Sequence, residues 1–571
     1  MTPPTVPQVL AWRPSALTEL ADEWDRAAGR LQTQADAVDD AMAGTSGVFT
    51  GSAAGAARRA IGPTAAGLRR MCRALILAAA EARDAADVIG RSRDRVLTVL
   101  AEARGEGCPV ADDGTVRPSP EPSALLVICS GGSASAAHAM LDERAAELTR
   151  ALQGALSALG AADAEAAGAI DAAFDAGISR TFDPAVRPAA TAGDPVAYWP
   201  QMSQDSIAAQ VAAMSEAERQ RLIDQHPREA GNTDGVPWQM RMAANRINIA
   251  NAILDQHHRI DVPAEAKLSA AVSAMRDPAD AERLWATLQV DPALRAATIA
   301  AYDRDARDRL EYYETLLADV PDPLDPDRRV PRQVLAFDPE RESLIELSGD
   351  LGRAHALAVL VPGLNSSFDG AADDVATARR FVAGSEGDVA MISYLGGHFP
   401  TGSLVAGVTD AADPHYALEM APRLVAFSED VERQAGAIPV TYLGQSYGGS
   451  ILGTAERFGL TADRVVYVEA AGAGVGVHNP SDWHDRNPAV LRFSMTAPGD
   501  PIELVQGIPF GPHGADPDEM PGVIQLDTGR RLTGAPMAGP SAHSDVINEP
   551  SDAWHNILAV ITGDREHIHV K

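Results

Sequence analysis

The sequence predicts two parts, an all-α helical bundle followed by an α/β domain with a mostly parallel sheet. Three observations predict this. Apolar residues recur at helical spacing through the first half of the chain. From residue 333 the text changes to short apolar runs that alternate with helix-length segments. Between the two lies DVPDPLDPDRRVP (319–331), whose four prolines cannot sit in a helix interior.

Residues 14–43 read as one amphipathic helix. Leu17, Trp24, Leu31 and Val38 recur every seven residues, and Ala21, Ala28, Ala35 and Met42 follow four residues after each. That is an a/d seam for pairing with another helix. GTSG (44–47) breaks it, and Phe49-Thr50-Gly51 falls at the turn. The next helical stretch places Leu68, Met71, Leu75, Ala79 and Ala82 on one face, with Val96 and Leu100 further on and a kink or restart at Pro63. A Pro/Asp/Gly loop spans 109–123. An Ala-rich helix over 134–178 follows, striped by Leu141, Leu148, Leu152, Leu156 and Leu159.

Residues 181–200 read as a linker and 204–226 as helix. A polar turn follows at 226–246, with further helices to about 318. VLAFD and SLIEL then predict a hairpin. AHALAVLV, VAMISY, IPVTYL, RVVYVEA, VLRFSMTA and GVIQLD predict further strands, with helices at 370–384 and 416–436. The expected division is a helical bundle over 1–180, a linker and helical segment packed on the α/β domain over 181–331, and the α/β domain over 332–571.

Composition excludes several functions. The 571 residues carry a net charge of −31, and such a surface repels phosphate backbones and anionic lipid, so no nucleic-acid partner is expected. No apolar run approaches the roughly 18 residues of a membrane span, and no ordinary signal peptide opens the chain. The expectation is a soluble protein, cytoplasmic or exported by another route. Cys72, Cys108 and Cys129 make neither a disulfide scaffold nor a zinc site. Cys108 and Cys129 could pair in an exported protein, and equally all three cysteines read as small, reduced core residues. No metal or cofactor is expected.

The chemistry sits in IPVTYL-GQSYG-GSILGTAERFG, a strand, a sharp turn and a helix. Ser446 is flanked by Gly444 and Gly448, as a nucleophile elbow requires, since larger side chains would collide with the neighbouring backbone. At average glycine and serine usage roughly 0.2 such patterns arise by chance in a chain this long, so its strand–turn–helix context carries the weight. Chain order then asks for an acid and a histidine downstream. VLRFSMTAPGDPI places Asp500 in a loop directly after a strand, and GPSAHSDVI places His543 in a loop after the last one. Asp527 is the weaker acid. His478, His484, His513 and His555 read as surface or capping residues. LAVLVPGLNSSF supplies an oxyanion loop, with the amide of Leu364 first and Asn365 second, alongside the amide of Tyr447. The loops SYLGGHFP and EAAGAGVG end strands on the same edge and should line the pocket.

In this order HPREAGNTDGVPWQMRMAANR, VLAFDPE, LVPGLNSSF, GQSYGGS, AAGAGVG, APGDPI and AHSD resemble an actinobacterial α/β-hydrolase family of unknown function, over about 200–571. The resemblance implies an α/β-hydrolase fold and the Ser446–Asp500–His543 set. It also implies that the Asn232–Pro237 turn and Asn245-Arg246 belong with the hydrolase. The N-terminal helices are similar to helical hairpins secreted by type VII (ESX) systems, with Phe49-x-Gly51 in place of Trp-x-Gly. No Tyr-x-x-x-Asp/Glu follows the second helix. The expected function is hydrolysis of an ester or related acyl bond in a small or lipid-like substrate, with residues 14–104 open to a helical protein partner. The alternative is a secreted effector or interaction protein that uses the fold as a scaffold.

Overall fold

The structure, a computed structural model, describes residues 3–46, 52–119, 133–178, 195–275, 277–402, 412–506, 508 and 511–571. The Phe49–Gly51 turn, Cys129 and most of the 181–200 linker lie outside them. Two compact units form: Met1–Pro188 with Ala250–Ala318, and Ala189–Ile249 with Asp319–Lys571.

The helical unit begins with α1 (Val6–Ala11), α2 (Ser15–Ser46), α3 (Ser52–Gly105) and α4 (Ala134–Ile178). The seven-residue repeat forms a seam, but its centre is shifted. Ala21, Ala28 and Ala35 are fully buried, whereas Leu17, Trp24, Leu31 and Val38 are only half-buried and flank them. Ala21 meets Ala79 and Ala82 of α3, so small side chains bring the two backbones close. Helix α3 is one continuous helix through Pro63, with no restart there. Its buried face carries Cys72, Ile76, Ala79 and Ala82, while Met71 is 42% exposed. Of the expected stripe on α4, Leu148, Leu152, Leu156 and Leu159 are buried, and Leu141 is half-buried. Among the described residues no helix is long and apolar enough to cross a membrane.

The expected 181–331 segment is divided between the units. Helices α5 (Gln204–Ala212), α6 (Glu216–Gln225) and α7 (Pro227–Asn232) belong to the α/β unit, and the division falls inside α8 (Trp238–Asp261). Helices α9 (Ala264–Ser273), α10 (Pro278–Val290) and α11 (Pro292–Leu317) belong to the helical unit. There Arg83 of α3 pairs with Glu314 of α11 at 3.7 Å. The expected polar turn at 226–246 is mostly helix, with the turn confined to the residues between α7 and α8.

After α11 the α/β unit resumes with a two-stranded ladder, β1 (Val320–Pro321) and β2 (Arg329–Val330), within the Pro-rich stretch 319–331. The eight expected strands then form one sheet. They are β3 (Gln333–Asp338), β4 (Ser343–Ser348), β5 (Ala356–Val361), β6 (Val389–Gly396), β7 (Val440–Gln445), β8 (Arg464–Val468), β9 (Leu491–Met495) and β10 (Val523–Gln525). Their order is β10-β9-β8-β7-β5-β6-β4-β3. Strands β5 to β10 pair in parallel, and β4 and β3 are antiparallel additions at one edge. Helix α12 (Ala371–Gly384) links β5 to β6, and α13 (His415–Ala435) links β6 to β7. Helix α14 (Tyr447–Arg457) follows β7, and α15 (Ala542–Asn548) and α16 (Asp552–Thr562) close the chain. Alternation along the strands feeds two cores. Leu360, Met391, Leu443, Val466 and Phe493 pack with Phe381 of α12 and Trp554 of α16. Tyr394 turns to the opposite face and meets Phe427 of α13 at 5.1 Å. Each apolar side chain buried this way stabilises the unit by about 1.5–3 kcal/mol.

The segment before β3 protects the sheet edge, where unpaired backbone groups would otherwise be open to another strand. Asn232 Oδ1 accepts from the Phe337 amide at 2.8 Å. Arg241 Nε donates to Leu335 O at 2.7 Å, and Asn245 Nδ2 to Val334 O at 3.2 Å. Gly235 sits at φ +94°, where an added Cβ would lie 2.5 Å from Gln204 O.

Candidate active site

The chain leaves the middle of the sheet by β5, turns outward to β6 and returns beside β5 as β7. At such a reversal the crevice beyond the carboxyl ends of the strands is open to a ligand. Two loops leave there side by side, Pro362–Asn365 from β5 and Ser446 from β7.

Ser446 has φ 55° and ψ −121°, a strained conformation that lifts the side chain off the sheet. The two glycines make it feasible. A Cβ on Gly448 would lie 2.2 Å from Val361 O, and one on Gly444 2.7 Å from Gly448 O. The turn is pinned where Ser446 N donates to Val468 O at 3.0 Å and Ser446 O accepts from Ala471 N at 2.9 Å.

His543 presents Nε2 to Ser446 Oγ at 2.9 Å and Nδ1 to Asp500 Oδ2 at 2.9 Å. The expected loop around His543 is instead the first turn of α15, which fixes the ring's direction better than a loop does. Gln445 Nε2 holds the His543 carbonyl at 3.2 Å and so ties α15 to the elbow. Asp500 is 2% exposed and accepts from Ile502 N at 2.8 Å as the cap of a short 3-10 helix. An ionised carboxylate only accepts, so Nδ1 carries the proton and Nε2 faces the serine hydroxyl as an acceptor. Asp527 lies apart, exposed and turned to Gly529 N at 3.1 Å.

Gly363 abuts the serine. A Cβ there would lie 2.7 Å from Ser446 Cβ. The next amide, of Leu364, and the Tyr447 amide donate to no protein acceptor among the described residues. Asn365 is engaged elsewhere, because its amide donates to Pro400 O at 2.9 Å and its side chain clasps Gly402 at 2.8 Å in both directions. Tyr447 is anchored by its hydroxyl on Asp413 O, and burial pushes its phenol up.

His478, His484 and His555 are exposed, as expected. His513 is not a surface residue. It is 2% exposed, with Nδ1 3.0 Å from Ser450 Oγ and its ring edge-on to Tyr447. The sequence reading also passed over Glu469, which is fully buried next to Asp500. Its signal was present: an acid at the end of Val-Val-Tyr-Val, the strand beside the nucleophile strand.

A protein-family model described as alpha/beta hydrolase matches residues 338–509. The fold is that of an alpha/beta hydrolase. The match covers the stretch from the end of β3 through the elbow and Asp500, and it stops before His543. Neither a curated protein nor a solved structure matches the chain.

Proposed function

We propose that this alpha/beta hydrolase unit is a serine hydrolase that cleaves an ester or related acyl bond through an acyl-enzyme. One observation carries the reading: the unbroken relay from Ser446 Oγ through His543 to Asp500, with 2.9 Å at each link. Ser446 Oγ attacks the acyl carbon while His543 Nε2 takes its proton. The resulting oxyanion accepts from the amides of Leu364 and Tyr447. The tetrahedral species collapses, the leaving group takes the proton from His543, and the acyl group stays on Ser446. Water then attacks the acyl-enzyme with His543 again as base, which releases the acid and restores the serine. Asp500 holds Nδ1–H and stabilises the imidazolium formed in both halves.

A fluorophosphonate probe tests this directly. The wild type should label at Ser446, and Ser446→Ala should not label while its melting midpoint stays nearly unchanged. A Ser446→Ala protein that still labels would place the reactive serine elsewhere. A series of nitrophenyl esters with increasing acyl length would then define the substrate class.

A further inference from the structure

Glu469 directly follows β8, with φ 44°. One carboxyl oxygen of Glu469, one of Asp500 and a ring nitrogen of His543 all lie within 4.8 Å of one another, and both carboxyls are buried. Two ionised carboxylates only accept, so two buried carboxyls this close can hydrogen-bond to each other only if one of them carries a proton. The distribution of donors says which one. Asp500 accepts from Ile502 N at 2.8 Å and from His543 Nδ1 at 2.9 Å. Among the described residues Glu469 accepts only from Ala497 N at 2.9 Å, through Oε1, and no group donates to its buried Oε2. A buried oxygen with no donor facing it is costly as an anion and satisfied as a hydroxyl.

We infer that Glu469 is a protonated positioning residue, whose Oε2–H donates to the Asp500 carboxylate and fixes it against His543. The inference rests on the reading of Ser446, His543 and Asp500 as the reacting set. The groups that face Glu469 agree with it. Burial, then the charge and acceptor oxygen of Asp500, push its carboxyl up to about 10, and Asp518 adds to the push. The pair therefore carries a single negative charge at neutral pH. A third donor on Asp500 stops the carboxylate from rotating away from Nδ1.

Glutamine is the isosteric test, since its Nε2–H can replace Oε2–H while its Oε1 keeps the Ala497 contact. Glu469→Gln should keep kcat within about threefold, whereas Glu469→Leu should lose roughly tenfold to a hundredfold in kcat with little change in KM. The wild type should lose activity as Glu469 ionises near pH 10, and Glu469→Gln should lack that loss. A readout independent of turnover is the infrared difference between wild type and Glu469→Gln at about pH 9, which should show the C=O stretch of a protonated carboxyl in the wild type only. No such band, or a folded glutamine variant as impaired as the leucine one, overturns the inference. Failure of the wild type to label with fluorophosphonate at Ser446 would instead remove the reading beneath it, and the infrared band would be unaffected.

Discussion

Asp25 of the helical unit and Asp430 of the α/β unit are both buried aspartates, and they are held differently. Asp430, on α13, accepts from the Gly235 amide at 2.9 Å, the Trp238 indole at 2.9 Å, Arg241 at 3.0 Å and Arg433 at 3.1 Å. Asp25, on α2, has Arg83 at 2.6 Å, and Arg83 is shared with Asp22 at 2.8 Å and Glu314 at 3.7 Å. Burial raises Asp25 above the usual carboxylate range against the pull of Arg83. The α/β unit thus fixes a charge with directional partners from several elements. In the helical unit Asp25 lies beside an alanine seam and is held by one guanidinium that it shares with two other acids. Chemistry that tolerates little displacement belongs on the first kind of scaffold.

The largest expected effect lies in the relay. Asp500→Asn should lower kcat by about 10⁴, because the amide stabilises the wrong histidine tautomer. Asp527→Asn should change it less than about twofold, and so should Arg83→Gln in the helical unit. Steady-state hydrolysis of one generic ester measures all three. A loss with Asp527→Asn would shift the acid by one strand, and a loss with Arg83→Gln would draw the helical unit into the chemistry.

The same contrast explains what could be read in advance. In the α/β unit local and global signals agree: β-branched runs make strands, glycines at 444 and 448 make the elbow, and chain order supplies Asp500 and His543. In the helical unit the seven-residue repeat set helix and seam, but alanine packs on either side of a helix. Leu17 and Trp24 could therefore be read as the seam's centre when Ala21 and Ala28 occupy it. Long-range pairing was harder still. That Arg241 and Asn245 serve the edge carbonyls of β3, or that 250–318 joins the N-terminal helices, depends on contacts between distant segments that no local period encodes. Glu469 was passed over because an acid ending a strand reads as a solvated strand end until the neighbouring strand sets Asp500 against it.

The next effect in size concerns stability. Asp430→Ala leaves the buried donors of Gly235, Trp238 and Arg241 facing a cavity, and should cost about 3–5 kcal/mol. Asp25→Ala removes one partner from Arg83, which keeps Asp22 and Glu314, and should cost about 1–2 kcal/mol. Denaturant unfolding followed by far-ultraviolet circular dichroism measures both. Equal costs would mean that the two acids are held alike after all.

The smallest effect is a pH dependence confined to the helical unit. Burial pushes Glu314 up to about 7 from an ordinary 4.5, against the attraction of Arg83 and with the repulsion of Asp25, Asp22 and Glu311. For a carboxyl raised in this way the folded state holds a proton that the unfolded chain gives up. Its contribution to stability is then complete below 4.5 and is lost as pH rises through about 7. His257 nearby acts in the opposite sense, because burial lowers it and its protonation on acidification opposes folding. The wild type alone would therefore show a blurred profile. Glu314→Gln separates the two, since it keeps His257 and carries a permanent neutral mimic of the protonated acid. Its melting midpoint should rise relative to the wild type by roughly 2–4 °C between about pH 5 and pH 8. Calorimetry at matched ionic strength reads that difference. A difference that stays flat across this range would mean that Glu314 ionises as an ordinary surface acid, and that the helical unit buries no proton-holding group at this position.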